Sequence, residues 1–123
     1  MSETNAYLDH RGRPRVVITG IGVKTPAGND IETFWSRIQA GKSTAAPFEF
    51  FDGSDLSVTF GCEVREFDPV AYFGPKESRR VDRFTQLGFA AAVDALADAG
   101  DPGADPARCA VVTGTGVGGI WTY

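Results

Sequence analysis

Apolar residues fall into two kinds of pattern along this chain. Arg15-Val16-Val17-Ile18-Thr19 is a β-branched run without polar alternation, closed by Gly20. Such a run predicts a strand buried on both faces, as in a parallel sheet covered by helices. Arg108 to Thr113 repeats the pattern and predicts a second buried strand. Between them the spacing is helical. Ile31, Phe34, Trp35 and Ile38 share one face, which predicts a helix from Ile31 to about Ala40. Asp30 is placed to cap its start and Gly41 to stop it, although Thr33 stands where a complete capping box wants Glu. Ser57 to Val64 alternates with period two and predicts an exposed-face strand or hairpin arm.

Phe67-Asp68-Pro69 predicts the start of a short helix running to Phe73, with Pro69 near its first position and Gly74-Pro75 ending it. From Pro75 to Ala99 the spacing predicts helix with a break near Arg80, ended by Gly100. Its middle holds Phe84, Leu87, Phe89, Val93, Leu96 and several alanines, and its polar stripe is thin: Arg80, Arg83, Asp94 and Asp98. That predicts a helix packed on most sides, with alanines admitting a neighbouring helix closely. Residues 42–57 predict a long excursion packed by Phe48, Phe50 and Phe51, with Phe60 just beyond, and residues 1–14 a loose polar leader. The element order predicts an α/β layered fold. The second strand is followed by a glycine turn with no helix to cover that sheet face, so a βα unit is expected to be cut in half.

Composition narrows the classes. The length of 123 residues suits one domain. A net charge of -4 argues against a nucleic-acid binder. No apolar run approaches the ~20 residues of a membrane span, and the polar start Met1-Ser2-Glu3-Thr4-Asn5 is no secretory signal. Cys62 and Cys109 are too few for a disulfide framework and are expected as reduced thiols. His10 is the single histidine and is expected in solvent. With two scattered cysteines beside it, no metal site is expected.

Gly114-Thr115-Gly116-Val117-Gly118-Gly119 contains G-x-G-x-x-G after an apolar run, which invites a dinucleotide-binding reading. The acidic residue that such a site needs ~20 positions on lies past the last residue. Thr19-Gly20-Ile21-Gly22 starts like the glycine motif of short-chain dehydrogenases, but Lys24 and Thr25 fill the stretch where the next glycine belongs. Lys76, Arg79, Arg80 and Arg83 fall at i, i+3, i+4 and i+7, on one face of a continuous helix. They form either a solvated face partnered by Glu77 and Asp82 or a docking patch for an acidic partner. Neither cysteine is placed at a helix N-terminus or beside a histidine, so both read as structural.

Three segments together resemble the N-terminal part of β-ketoacyl-acyl carrier protein synthases of the elongating type, from bacterial fatty acid and type II polyketide systems. They are Arg15 to Gly22 with Thr25-Pro26-Ala27-Gly28-Asn29, then Lys76-Glu77-Ser78-Arg79-Arg80-Val81-Asp82-Arg83-Phe84, then Gly114 to Gly119. Phe34-Trp35, Ala40-Gly41-Lys42-Ser43 and Phe51-Asp52 fall where such enzymes carry similar residues. The resemblance implies a thiolase-like α-β-α-β-α fold, of which residues 15–123 form the opening part of the first half, incomplete at the C-terminal end. It implies decarboxylative condensation of an acyl thioester with malonyl-carrier protein through a cysteine nucleophile, without metal or organic cofactor, in a cytoplasmic homodimer. The nucleophile and its histidines would lie beyond Tyr123, so this segment alone is expected to be inactive. Lys76, Arg79 and Arg80 match the residues that meet the acidic carrier protein. Gly116, Val117 and Gly118 match the lining of the acyl pocket. The alternatives are a non-catalytic partner subunit of a ketosynthase, which shapes chain length, and a small dinucleotide-binding module.

Overall fold

The computed structural model describes residues 7–101 and 103–119. The first helix, α1, runs Ile31–Gln39. Its N-terminus is closed as its sequence predicts, with the Asp30 carboxylate accepting from the Thr33 N–H at 2.8 Å. Ala40 caps the other end and Gly41 follows at φ +60°, a conformation that costs a glycine little. Strands β1 (Ala46–Pro47) and β2 (Phe60–Gly61) pair antiparallel, with Ala46 opposite Gly61 and Pro47 opposite Phe60. The expected arm over residues 57–64 is thus paired only at its centre. Helix α2 (Val70–Glu77) is interrupted at Gly74, φ +70°, and helix α3 spans Arg83–Ala99. The expected break between them is a turn at residues 78–80. Gly100 ends α3 at φ +66°. A 3-10 turn, Pro106–Arg108, follows.

The excursion between β1 and β2 closes on itself. Phe48 stacks on Phe51 at 4.4 Å between ring centroids and lies against Gly53 and Gly61. The Glu63 carboxylate accepts from the Glu49 N–H at 2.9 Å, and Arg65 bridges Glu49 and Glu63 while donating to the Pro47 carbonyl. Burial pushes the Glu63 pKa up, but these donors outweigh it and hold the carboxyl below its ordinary value.

Several expectations are corrected. The two expected buried strands belong to no ladder among the described residues, and they are bare: Val16 is 94% exposed and Val112 93%. A β-branched run becomes a strand only where neighbours supply hydrogen bonds and cover its faces. Helix α3 is not packed on most sides. Gln86 and Ala90 are its buried residues, while Phe84, Phe89, Val93 and Leu96 are exposed. Its alanines do admit a close neighbour, but that neighbour is the backbone of the loop at Gly20 and Gly22 rather than a helix. A Cβ on Gly20 would lie 2.6 Å from the Ala99 nitrogen, and one on Gly22 2.7 Å from the Ala95 nitrogen. Of the expected leader, residues 1–6 lie outside the described residues. Residues 7–14 form a turn in which the Asp9 carboxylate accepts from the Arg11 and Arg13 N–H groups and the Arg13 guanidinium.

The thin polar stripe of α3 turns out to fasten the chain. Asp98 accepts from the Ile21 N–H at 2.9 Å. Asp94 pairs with the Lys24 ammonium and accepts from the Tyr72 hydroxyl at 2.9 Å. Lys24 is only 5% exposed along its side chain, donates also to the Asn29 carbonyl, and sits over the Tyr72 ring. Phe73 and Phe89 meet nearby at 4.7 Å between centroids. These contacts hold α2, α3 and the loop after Gly20 in one arrangement.

Candidate functional site

The basic segment forms the corner between α2 and α3. The Ser78 N–H donates to the Gly74 carbonyl at 3.1 Å and the Arg80 N–H to the Glu77 carbonyl at 2.9 Å, so the chain tightens past Glu77 and turns. Lys76, Arg79 and Arg80 are exposed on this corner. The Arg80 guanidinium meets the Glu77 carboxylate at 3.1 Å, an exposed pair worth little. Arg83 does not join them. The turn breaks the helical register that would have aligned it, and its guanidinium points inward to donate to the Val64 carbonyl at 2.7 Å, 4.8 Å from the Phe67 ring centroid. Burial there lowers its pKa. The one-face reading of four cations is therefore corrected to three cations on a corner, with a fourth in a structural role.

Sequence reasoning missed what holds this corner. Gln86 is 8% exposed, and its amide NH₂ donates to the Ser78 carbonyl at 2.7 Å and the Val81 carbonyl at 3.1 Å. A glutamine set between the apolar residues Phe84 and Leu87 was the available signal. Sequence reasoning also missed a polar cleft of about 350 Å³ bordered by Thr25, Asn29, Arg37, Lys42, Glu63 and Arg65. Neither the basic corner nor the glycine turn lines it.

Gly114 to Gly119 is a turn in which the Thr115 hydroxyl accepts from the Gly118 N–H at 3.0 Å and Gly118 adopts φ +77°. Val117 is exposed, and nothing lies within 4 Å of a Cβ placed on Gly116. Cys62 and Cys109 are free and exposed rather than held inside strands, and the Cys109 thiol donates to the Asp105 carbonyl at 3.4 Å. His10 is exposed in the Asp9 turn.

Comparison with solved structures places the fold. The chain superimposes on the ishigamide ketosynthase/chain length factor with a TM-score of 0.61 at 33% identity, over 68% of this chain and 21% of that one. The fold class is α/β and thiolase-like. The family model for the beta-ketoacyl synthase N-terminal domain matches residues 13–123, and the chain belongs to that family. It is 46% identical over 106 residues to the granaticin polyketide putative beta-ketoacyl synthase 1 of Streptomyces violaceoruber, covering 84% of this chain and 25% of that protein. It is 38% identical over 108 residues to 3-oxoacyl-[acyl-carrier-protein] synthase 2 of Vibrio harveyi, covering 86% and 26%. The actinorhodin polyketide putative beta-ketoacyl synthase 1 of Streptomyces coelicolor is 42% identical over 118 residues, covering 93% and 25%. The chain thus spans about a quarter of the length of these curated relatives. Among the described residues no helix is long and apolar enough to cross a membrane.

Proposed function

We propose that residues 15–123 are the N-terminal part of an elongating β-ketoacyl-acyl carrier protein synthase, incomplete at the C-terminal end and preceded by a short polar leader. The family match over residues 13–123 carries this reading. The bare apolar runs at Val16–Ile18 and Val111–Val112 suit strands whose neighbours come from further sequence. In the reaction, a cysteine thiolate from that further sequence attacks the acyl-carrier thioester, and the carrier thiol leaves. Malonyl-carrier protein then loses CO₂, the resulting carbanion attacks the acyl-cysteine carbonyl, a C–C bond forms, and the thiolate is released. Covalent capture divides one hard step into two. The segment by itself is inactive. The assembled protein is a cytoplasmic homodimer that needs no cofactor.

Two jobs fall to this segment. Lys76, Arg79 and Arg80 steer and hold the acidic carrier protein, supported by their shared exposed corner. Gly116, Val117 and Gly118 line the acyl pocket, where a small side chain flanked by glycines leaves room for the chain. Charge reversal at Lys76, Arg79 and Arg80, in the protein that carries this chain, should weaken carrier-protein binding by roughly tenfold or more at low salt, and by less as salt screens the contact. Equal affinity before and after reversal in a binding titration sinks the docking role. Val117→Phe should shorten the acyl products, and an unaltered product-length profile removes Val117 from the pocket.

A second reading has a specific support: the matched solved structure is the ishigamide ketosynthase/chain length factor, which joins a ketosynthase with a chain length factor. Cysteine at the downstream nucleophile position favours the enzyme, and another residue there favours the non-catalytic partner.

A further inference from the structure

We infer that Gln86 is a positioning residue for the carrier-docking corner, an inference that rests on the docking role proposed above. Arg79 and Arg80 lie between Ser78 and Val81, whose carbonyls fall outside the bounds of α2 and α3. One side-chain amide meets both, at 2.7 and 3.1 Å. Both partners are acceptors, so they fix which end of the amide faces them and with it the side-chain orientation. The site is closed to solvent, with Gln86 at 8% exposure and Ser78 at 7%. A carbonyl left unmet there would turn toward water and carry the arginine pair with it. The other end of the brace is rooted in α3: Gln86 donates its own N–H to the Asp82 carbonyl at 2.9 Å, and its Oε1 faces the Arg83 guanidinium, which is itself fixed on the Val64 carbonyl. The brace touches the turn carrying two of the docking cations and is not itself on the surface that a partner would meet.

The test uses the protein that carries this chain and its acyl carrier protein. Gln86→Met keeps the volume and removes both donors. It should raise the carrier-protein Kd roughly three- to tenfold, the range expected for one or two lost hydrogen bonds. Handling of a small pantetheine thioester, which has no carrier surface, should stay unchanged. Should Gln86→Met fail to fold, Gln86→Glu has the same length and shape with no proton for the carbonyls at neutral pH, and the same result is expected of it. A double-mutant cycle separates positioning from general softening. With Lys76, Arg79 and Arg80 already reversed, Gln86→Met should add less than about twofold, because its effect passes through those cations. An unchanged carrier Kd, or an equal loss with the small thioester, overturns the inference. If charge reversal weakens binding while Gln86→Met does not, the brace falls and the docking role stands. If charge reversal itself has no effect, the docking role falls and the brace with it.

Discussion

Two neighbouring stretches of backbone behave in opposite ways. Val16 to Ile18 is the more apolar, yet its side chains are bare and no ladder holds it. Gly20 to Asn29, a few residues on, is glycine-rich and polar, yet it is fastened at several points to α3. The same contrast recurs at Val111 and Val112, which are exposed, and at Gln86, which is buried. Apolar character is a demand for cover that something else must supply. Glycines facing alanines, and polar side chains facing backbone groups, are specific pairings that each need only one partner. In this chain those pairings fix the geometry of the candidate site, while the apolar runs on the proposed reading await other strands.

Gly22→Ala is the sharpest way to break that comparison. The added Cβ would meet only backbone, at 2.7 Å from the Ala95 nitrogen and 3.0 Å from the Ala91 carbonyl carbon. No flexible side chain can yield there, so the segment must lift from α3 and disturb the bonds of Ile21 and Lys24. The expected loss is about 3 kcal/mol, the upper part of the range for overpacking. Denaturant unfolding of the protein that carries this chain measures it. A midpoint unchanged from wild type would mean that the approach of this segment to α3 is not what anchors it.

What was legible in the sequence follows the same division. The ends of α1 were read correctly from Asp30 and Gly41 because capping is local chemistry. The break expected near Arg80 lies at the turn of residues 78–80, while Gly74-Pro75, expected to end the first helix, interrupts α2 at Gly74 without ending it. Family and fold class were carried by the ordered motifs rather than by any one of them. The strands at 15–19 and 108–113 were not recoverable as observed structure, since a strand is a property of a pair. Arg83 was misplaced because the i+7 spacing presumes an unbroken helix. Asp94 and Asp98 were read as a solvent stripe because their partners, Lys24 and the Ile21 N–H, lie some seventy residues earlier. Gln86 was passed over because sequence cannot show which carbonyls of a turn a side chain several residues on will meet.

Lys24→Met sharpens the comparison at a lower cost. It replaces a buried cation with an apolar chain of similar length, which is the kind of change that would be harmless if cover were all that mattered. It also leaves Asp94 with the Tyr72 hydroxyl and water alone. Breaking a fully buried pair costs ~3–5 kcal/mol, but Asp94 is 33% exposed, so solvent screening reduces the expected loss to about 2 kcal/mol. The pH dependence gives a second reading of the same bond. Burial presses the Lys24 pKa down, but Asp94 and Tyr72 outweigh it and the net value lies above 10.5. A folded-state pKa raised in this way means that the stabilisation is complete below 10.5, the ordinary lysine value, and is lost as pH rises through the higher folded value. The gap between wild type and Lys24→Met should therefore hold steady from neutral pH to about pH 10 and narrow above it. A gap that closes near neutrality, or one that persists undiminished well above the lysine range, would show that Lys24 acts through its packing and not through its charge.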